Sequence, residues 1–203
     1  MFHVKHEGLD GAADLLGIAL DARAQSRLAL FESLLLQRAL PMGMVASNDA
    51  PRIRERHLLD CLRAAPLLPE AGVVCDLGSG AGLPGLVLSI ARPDLSWVLI
   101  EVRRNRAAFL RDMIIALELD DVVVHARRAE TFHQKVDVCT ARAFAPVGAS
   151  WATAEPLLVP EGFLVYWAGA SFVEVRDVPN GVDARLFTSA GLAPSGPLVI
   201  MTR

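Results

Sequence analysis

One ten-residue stretch restricts the folds open to this chain more than any other: Asp76-Leu77-Gly78-Ser79-Gly80-Ala81-Gly82-Leu83-Pro84-Gly85. An apolar run, Val73-Val74-Cys75, leads into it, and a helical pattern over residues 83–91 leads out. Glycines 78, 80, 82 and 85 remove Cβ atoms where a sharply turning chain approaches a ligand. Strand, glycine loop and helix in that order form a cradle for a nucleotide-like molecule.

The same alternation continues to the end of the chain. Apolar runs predict strands at 97–101, 122–126, 136–141 and 162–167. Helices are predicted at 103–119, with Phe109, Leu110, Met113 and Leu117 facing a core, and at 146–158. Residues 182–187 and 198–202 read as a closing antiparallel pair. Strands separated by helices imply an α/β fold with a mostly parallel sheet covered on both faces. Ligands of such sheets bind beyond the carboxyl ends of the strands, near the switch in strand order.

Residues 1–70 read differently. Asp21 is placed to cap a helix over 22–38, with Leu28, Phe31, Leu35 and Leu36 as its apolar stripe. Pro41 and Gly43 break it. A second helix is predicted to start after Pro51 and run to Ala65, with Ile53, Leu58, Leu59 and Leu62 inward, closed by Pro66 and Pro69. The chain therefore divides into an N-terminal helical extension, 1–70, and an α/β domain, 71–203.

The 203 residues are 53% apolar and 21% charged, enough for one large core and too apolar for disorder. No apolar run approaches the ~20 residues of a membrane span. The opening Met1-Phe2-His3-Val4-Lys5-His6 lacks the pattern of a secretory signal. Cys61, Cys75 and Cys139 have neither metal-ligand nor disulfide spacing. They read as buried, reduced thiols of a cytoplasmic protein that needs no metal and no membrane. The net charge of −3 offers no global attraction to nucleic acid, so any such contact must come from local patches.

Two nucleotide ligands compete for the loop. Residues 80–85 satisfy the dinucleotide pattern G-x-G-x-x-G, which would suit an NAD(P)-dependent oxidoreductase. Asp76 favours the other. A carboxylate beside a pyrophosphate meets like charge in a poorly solvated place. S-adenosylmethionine has no phosphate and carries an amino group and a sulfonium. Glu101, at the end of the next strand, is placed to accept both ribose hydroxyls. The pattern D-x-G-x-G-x-G with a following strand-end acid resembles class I S-adenosylmethionine-dependent methyltransferases. Those have a Rossmann-like, mostly parallel seven-stranded sheet with helices on both faces.

A narrower resemblance adds to this. The loop with its Gly-Leu-Pro-Gly ending stands with Arg56-His57-Leu58-Leu59-Asp60 upstream. Arg106-Ala107-Ala108-Phe109-Leu110 and Ala141-Arg142-Ala143 follow downstream. In that order and spacing they resemble the RsmG (GidB) family, bacterial enzymes that methylate N7 of a guanine in 16S ribosomal RNA. The resemblance runs from about 54 to 169. It implies that Asp76, Gly78, Ser79, Gly80, Gly82 and Leu83 line the cofactor site. Glu101 would hold the ribose, Ala129 and Glu130 would contact the adenine region, and Arg142 would stand near cofactor and substrate. Arg56, His57 and Asp60 would close over the site. The chain departs from the family at Ala39-Leu40, at Met44-Val45-Ala46 and at Ala168-Gly169, where many members carry Lys-Gly.

Guanine N7 has a lone pair and no proton, so methyl transfer to it requires alignment rather than a general base. No catalytic base is assigned; Arg142, His57 and Asp60 are candidates for positioning. A target base drawn out of its stack needs a planar partner, for which Phe144, Tyr166 and Trp167 are placed, although core packing is the plainer reading of each. Arg54 and Arg56 on one helix, with Arg52, and Arg103, Arg104 and Arg106 at the start of another, are the candidate RNA-binding cations. The expected partners are small-subunit ribosomal RNA or the 30S particle, met by a monomer. A methyltransferase acting on another RNA, a protein or a small molecule is the alternative.

Overall fold

The computed structural model describes residues 11, 16–169, 172–188 and 196–203. The opening stretch read for a signal lies outside them. Seven strands form one sheet: β1 (Val73–Leu77), β2 (Ser96–Ile100), β3 (Val122–His125), β4 (Val136–Arg142), β5 (Leu158–Trp167), β6 (Asp183–Phe187) and β7 (Leu198–Thr202). Their order is β3-β2-β1-β4-β5-β7-β6. The first five are parallel, and β7 runs antiparallel between β5 and β6. This is the Rossmann-like arrangement expected. The order reverses between β1 and β4, so the glycine loop after β1 opens at the switch point.

Burial along the inner strands follows the period of two. Val74, Leu99, Trp97 and Val138 face one core; Cys75, Val98, Ile100 and Cys139 face the other. The first core also holds Leu28, Phe31 and Leu35 from the helix α1 (Ala22–Leu34) and its continuation, and Leu58 and Leu62 from the next segment. The N-terminal helices thus share one apolar core with the sheet. Asp21 caps α1, its Oδ1 accepting from the Ala24 N–H at 2.7 Å. Leu36, expected on the apolar stripe, is exposed at 37%. The helix widens to a π turn over Leu35–Ala39, which rotates the next residue off the core-facing line.

The second N-terminal helix starts earlier than predicted and is irregular. A 3₁₀ turn (Ser47–Arg52) carries Pro51, a π turn (Arg54–Leu59) follows, and only α2 (Asp60–Leu62) is α-helical. Proline lacks an N–H and so fits the opening turn rather than preceding it. Single π turns are frequent at functional sites.

The remaining helices are α3 (Gly85–Ala91), α4 (Arg104–Ala116), α5 (Val147–Ala154) and α6 (Glu174–Asp177). The helix α3 begins at Gly85, two residues later than the pattern suggests. Strand β5 begins earlier, at Leu158. Leu158 pairs with Val136 and Phe163 with Val138, so the register shifts across Val159–Gly162. A Cβ at Gly162 would lie 2.9 Å from the Asp137 carbonyl oxygen; the residue that read as a strand start instead allows a close backbone approach.

Among the described residues, no helix is long and apolar enough to cross a membrane. Cys61, Cys75 and Cys139 are buried free thiols, and burial pushes the Cys61 thiol well up.

A candidate active site at the strand-order switch

The glycine loop is built from strained backbone that only glycine adopts cheaply. Gly78, Gly80 and Gly82 have φ of 67°, 55° and 86°. The Ser79 N–H donates to the Ile100 carbonyl at 2.9 Å. The Gly80 N–H donates to Glu101 Oε2 at 3.1 Å, and Glu101 Oε1 accepts from the Arg103 N–H at 2.8 Å. Glu101 is buried. Its carboxylate therefore shapes the loop from behind, with lone pairs left for further donors.

Asp76 is fully buried and faces away from the opening. Its Oδ1 accepts from the Thr140 hydroxyl at 2.8 Å, across the register pair Asp76–Thr140. Its Oδ2 accepts from the Gly85 N–H at 3.2 Å. A Cβ at Gly85 would lie 2.7 Å from that oxygen and 2.5 Å from Leu99 Cδ2. Glycine is therefore required there for the carboxylate to hold the start of α3. Burial raises the Asp76 pKa to about 6, against the hydrogen bonds from Thr140, Ser79 and Gly85 and the charge of Arg142. The sequence reading put this carboxylate against the ligand. The structure puts it one layer below, as a brace whose charge still reaches the loop.

A cavity of about 840 Å³ opens at the switch point. Gly78, Ser79, Gly80, Ala81 and Leu83 form one wall, and Arg142, Ala143 and the end of β5 another. Arg52, Arg56, His57 and Asp60 reach over it from the N-terminal segment. Arg106 enters from α4, its Nη1 3.9 Å from where a Gly80 Cβ would be. Four arginines and one carboxylate, Asp60, thus line the opening. The local field is positive on a chain whose net charge is −3.

The N-terminal residues meet β4 through a chain of charged contacts. Arg142 Nε donates to Asp60 Oδ2 at 3.1 Å, and Asp60 Oδ1 accepts from Arg63 Nη1 at 2.8 Å. Arg142 Nη2 donates to the Arg56 carbonyl at 3.1 Å and to His57 Nδ1 at 3.0 Å. A guanidinium has only donors, so His57 Nδ1 carries no proton. The proton is on Nε2, which donates to Asp49 Oδ2 at 3.1 Å. Asp49 Oδ1 accepts from Arg56 Nη1 at 2.7 Å. Burial, then the Arg142 charge, lower the His57 pKa against the pull of Asp49. His57 is therefore a neutral link in a scaffold and is poorly suited to act as a base.

Several expected site residues lie elsewhere. Gly82 packs on α3, where a Cβ would strike the Leu86 side chain. Ala129 and Glu130 line a separate cleft with Phe132, His133 and Thr153. They lie in a short 3₁₀ turn (Ala129–Thr131) after β3, two strands from the switch. Arg54 is turned from the opening into an ion pair with Glu32 at 2.6 Å. Arg103 and Arg104 are exposed outside the cavity. Tyr166 and Trp167, by contrast, do line the cavity; Trp167 is largely buried, its indole N–H donating to the Asp60 carbonyl at 3.0 Å. The Tyr166 hydroxyl donates to the Ala145 carbonyl at 3.1 Å. Phe144 packs on Gly78, where a Cβ would lie 2.5 Å from its ring.

Sequence reasoning missed Asp49 and Arg63, and it quoted Ala143 only within the Ala141-Arg142-Ala143 stretch, without a role in the site. Ala143 has φ 54°, rare outside glycine, and no composition signal marks it. Arg63 follows Asp60 by three residues, a helical spacing that could have marked the pair, whereas Asp49 meets Arg56 and His57 only through the irregular turns between them.

The model of the GidB family, rRNA small subunit methyltransferase G, matches residues 24–178. The chain belongs to this family. The ribosomal RNA small subunit methyltransferase G of Thermobifida fusca is 40% identical over 162 residues, covering 79% of this chain and 66% of that protein. The one from Acidothermus cellulolyticus is 44% identical over 131 residues, covering 64% and 59%. The chain thus spans less than two thirds of the length of these GidB relatives. Among solved structures, M. jannaschii TYW2 in complex with AdoMet has a TM-score of 0.54 at 16% identity, covering 71% of this chain and 73% of that one. At that identity the likeness concerns the fold alone. The GidB match spans both the arginine scaffold of the N-terminal segment and the glycine loop.

Proposed function

We propose that this chain is an S-adenosylmethionine-dependent methyltransferase acting on N7 of a guanine in small-subunit (16S) ribosomal RNA. The observation that carries this reading is the cavity itself. A cradle of positive-φ glycines, backed by the buried acids Glu101 and Asp76, opens into a chamber lined by four arginines.

The residues present fit the cofactor. At Gly80, which lines the cavity, a Cβ would meet nothing nearer than 3.7 Å, so a ligand can approach the loop backbone there, and Glu101 retains acceptor capacity beside it. When bound, S-adenosylmethionine supplies a methyl group activated by its sulfonium. The Gly78–Leu83 wall and Glu101 would hold it, and Arg52 and Arg106, which make no ion pair among the described residues, suit anionic groups of ligand or RNA. Because guanine N7 would take that methyl group through a lone pair that carries no proton, the residues of this chain would have no proton to move. Alignment is then the protein's main contribution. A scaffold in which Arg142 and His57 are fixed and His57 is neutral serves alignment. The arginines supply the local cations that rRNA contact demands, so ribosomal RNA or the 30S particle is the partner assigned.

Mapping N7-methylguanine in rRNA from cells with and without this gene tests the proposal, together with methyl transfer from labelled cofactor by the purified chain. Loss of one N7-methylguanine in 16S rRNA, restored by the chain, is expected. Unchanged 16S modification, with label passing to a protein or a metabolite, would overturn it.

A further inference from the structure

Arg142 is tied by three of its five N–H donors. Nε–H goes to Asp60, and the two Nη2 hydrogens go to the Arg56 carbonyl and His57 Nδ1. Each partner is itself braced. Asp60 is held by Arg63 and its carbonyl accepts from Trp167, while His57 is held by Asp49. Nη1 alone makes no hydrogen bond among the described residues, and Arg142 lines the cavity beside Gly78–Ala81.

We infer that Arg142 Nη1 donates to O6 of the target guanine, making Arg142 the residue that separates guanine from adenine. The inference rests on the guanine-N7 reading above. O6 is the acceptor next to N7 on the major-groove edge, where adenine carries an amino donor. An arginine free to move grips O6 and N7 together, which would occupy the lone pair that must attack. Here Nε and Nη2 are committed, so one corner of the guanidinium reads O6 and leaves N7 open. The charge also fits. Asp60 at 3.1 Å offsets the Arg142 charge, which suits a neutral carbonyl. Arg52 and Arg106 remain for anions. The pre-anchored side chain loses little rotamer freedom when the base arrives.

The test places 2-aminopurine, inosine or adenine at the mapped guanine of a reconstituted 30S substrate. 2-Aminopurine keeps N7 and lacks O6; inosine keeps both. The wild-type chain should prefer guanine and inosine to 2-aminopurine by roughly 10- to 100-fold in kcat/KM, the factor a charge-assisted hydrogen bond carries. Arg142→Ala and Arg142→Lys should be slower on guanine yet separate it from 2-aminopurine by only about 3-fold or less, as expected when a coupling is removed. Cofactor affinity by calorimetry should fall by a much smaller factor than kcat/KM on guanine. Equal discrimination in variant and wild type would overturn the inference. So would a loss of cofactor affinity matching the loss of rate, which would give Nη1 to the cofactor carboxylate. Should both variants unfold, the wild-type comparison still decides, since equal rates on guanine and 2-aminopurine exclude an O6 contact. Failure of the wild type on guanine itself would instead sink the rRNA reading.

Discussion

Replacing Asp76 by Asn should stabilise the cofactor-free protein at neutral pH and weaken cofactor binding at the same time. The carboxylate is fully buried, and burial lifts its pKa from 3.8 to about 6. The folded state therefore holds the Asp76 proton more tightly than the unfolded chain does. Between pH 3.8 and about 6 the folded state binds more protons, so the Asp76 contribution to stability falls as pH rises through that window. Above it, keeping the carboxylate ionised costs about 3 kcal/mol, at 1.36 kcal/mol per unit. Asn fits the same hydrogen bonds. Its oxygen accepts from the Gly85 N–H, and its amide donates to the Thr140 hydroxyl, which exchanges roles. Urea unfolding of both proteins from pH 4 to pH 8 measures the difference. The variant should gain about 2–3 kcal/mol relative to wild type near pH 7.5, and the gain should vanish near pH 4. Cofactor affinity should drop in the variant, because the buried charge beneath the loop is gone. A difference in stability that does not change with pH, or a variant weaker throughout, would refute the assignment of a strained buried carboxylate.

The scaffold around His57 predicts a second pH dependence. Burial, then the Arg142 charge and to a lesser degree that of Arg56, hold the folded pKa of His57 below 6.5 against the pull of Asp49. Its stabilising contribution is present above pH 6.5 and lost as pH falls below it, so kcat/KM for RNA should fall on the acid side, and a His57→Gln profile should lack that limb. Gly82→Ala should lower stability by about 1–3 kcal/mol, because it combines a φ of 86° with a clash against Leu86; an unchanged melting temperature would contradict the packing. Arg103→Ala with Arg104→Ala, both outside the cavity, should weaken RNA binding and reduce its salt slope by roughly 1.5–2 while cofactor affinity holds; a salt titration with an unaltered slope would remove them from the RNA surface.

Several features were legible from residue order alone because they depend on neighbours in the chain. The period of two in the inner strands, the glycines that permit positive φ at 78, 80 and 82, and the Asp21 cap are local choices. The alternation of strands and helices then restricts the sheet to few topologies, and the loop necessarily opens at a strand end. What the chain order did not reveal depends on residues far apart. Asp76 reads as a ligand contact because it adjoins the glycines, yet strand pairing turns it toward Thr140, 64 residues on. Ala129 and Glu130 follow a strand end as Arg142 does, but β3 is an edge strand and β4 borders the switch. The clustered arginines look alike in sequence; folding gives Arg54 to Glu32, leaves Arg103 and Arg104 exposed, and turns Arg106 and Arg142 inward. Residue identity sets which charges and turns the chain possesses. Which charge meets which partner is settled only when helix packing and strand register bring distant residues within hydrogen-bond reach, because electrostatic interaction depends on separation in space and on burial.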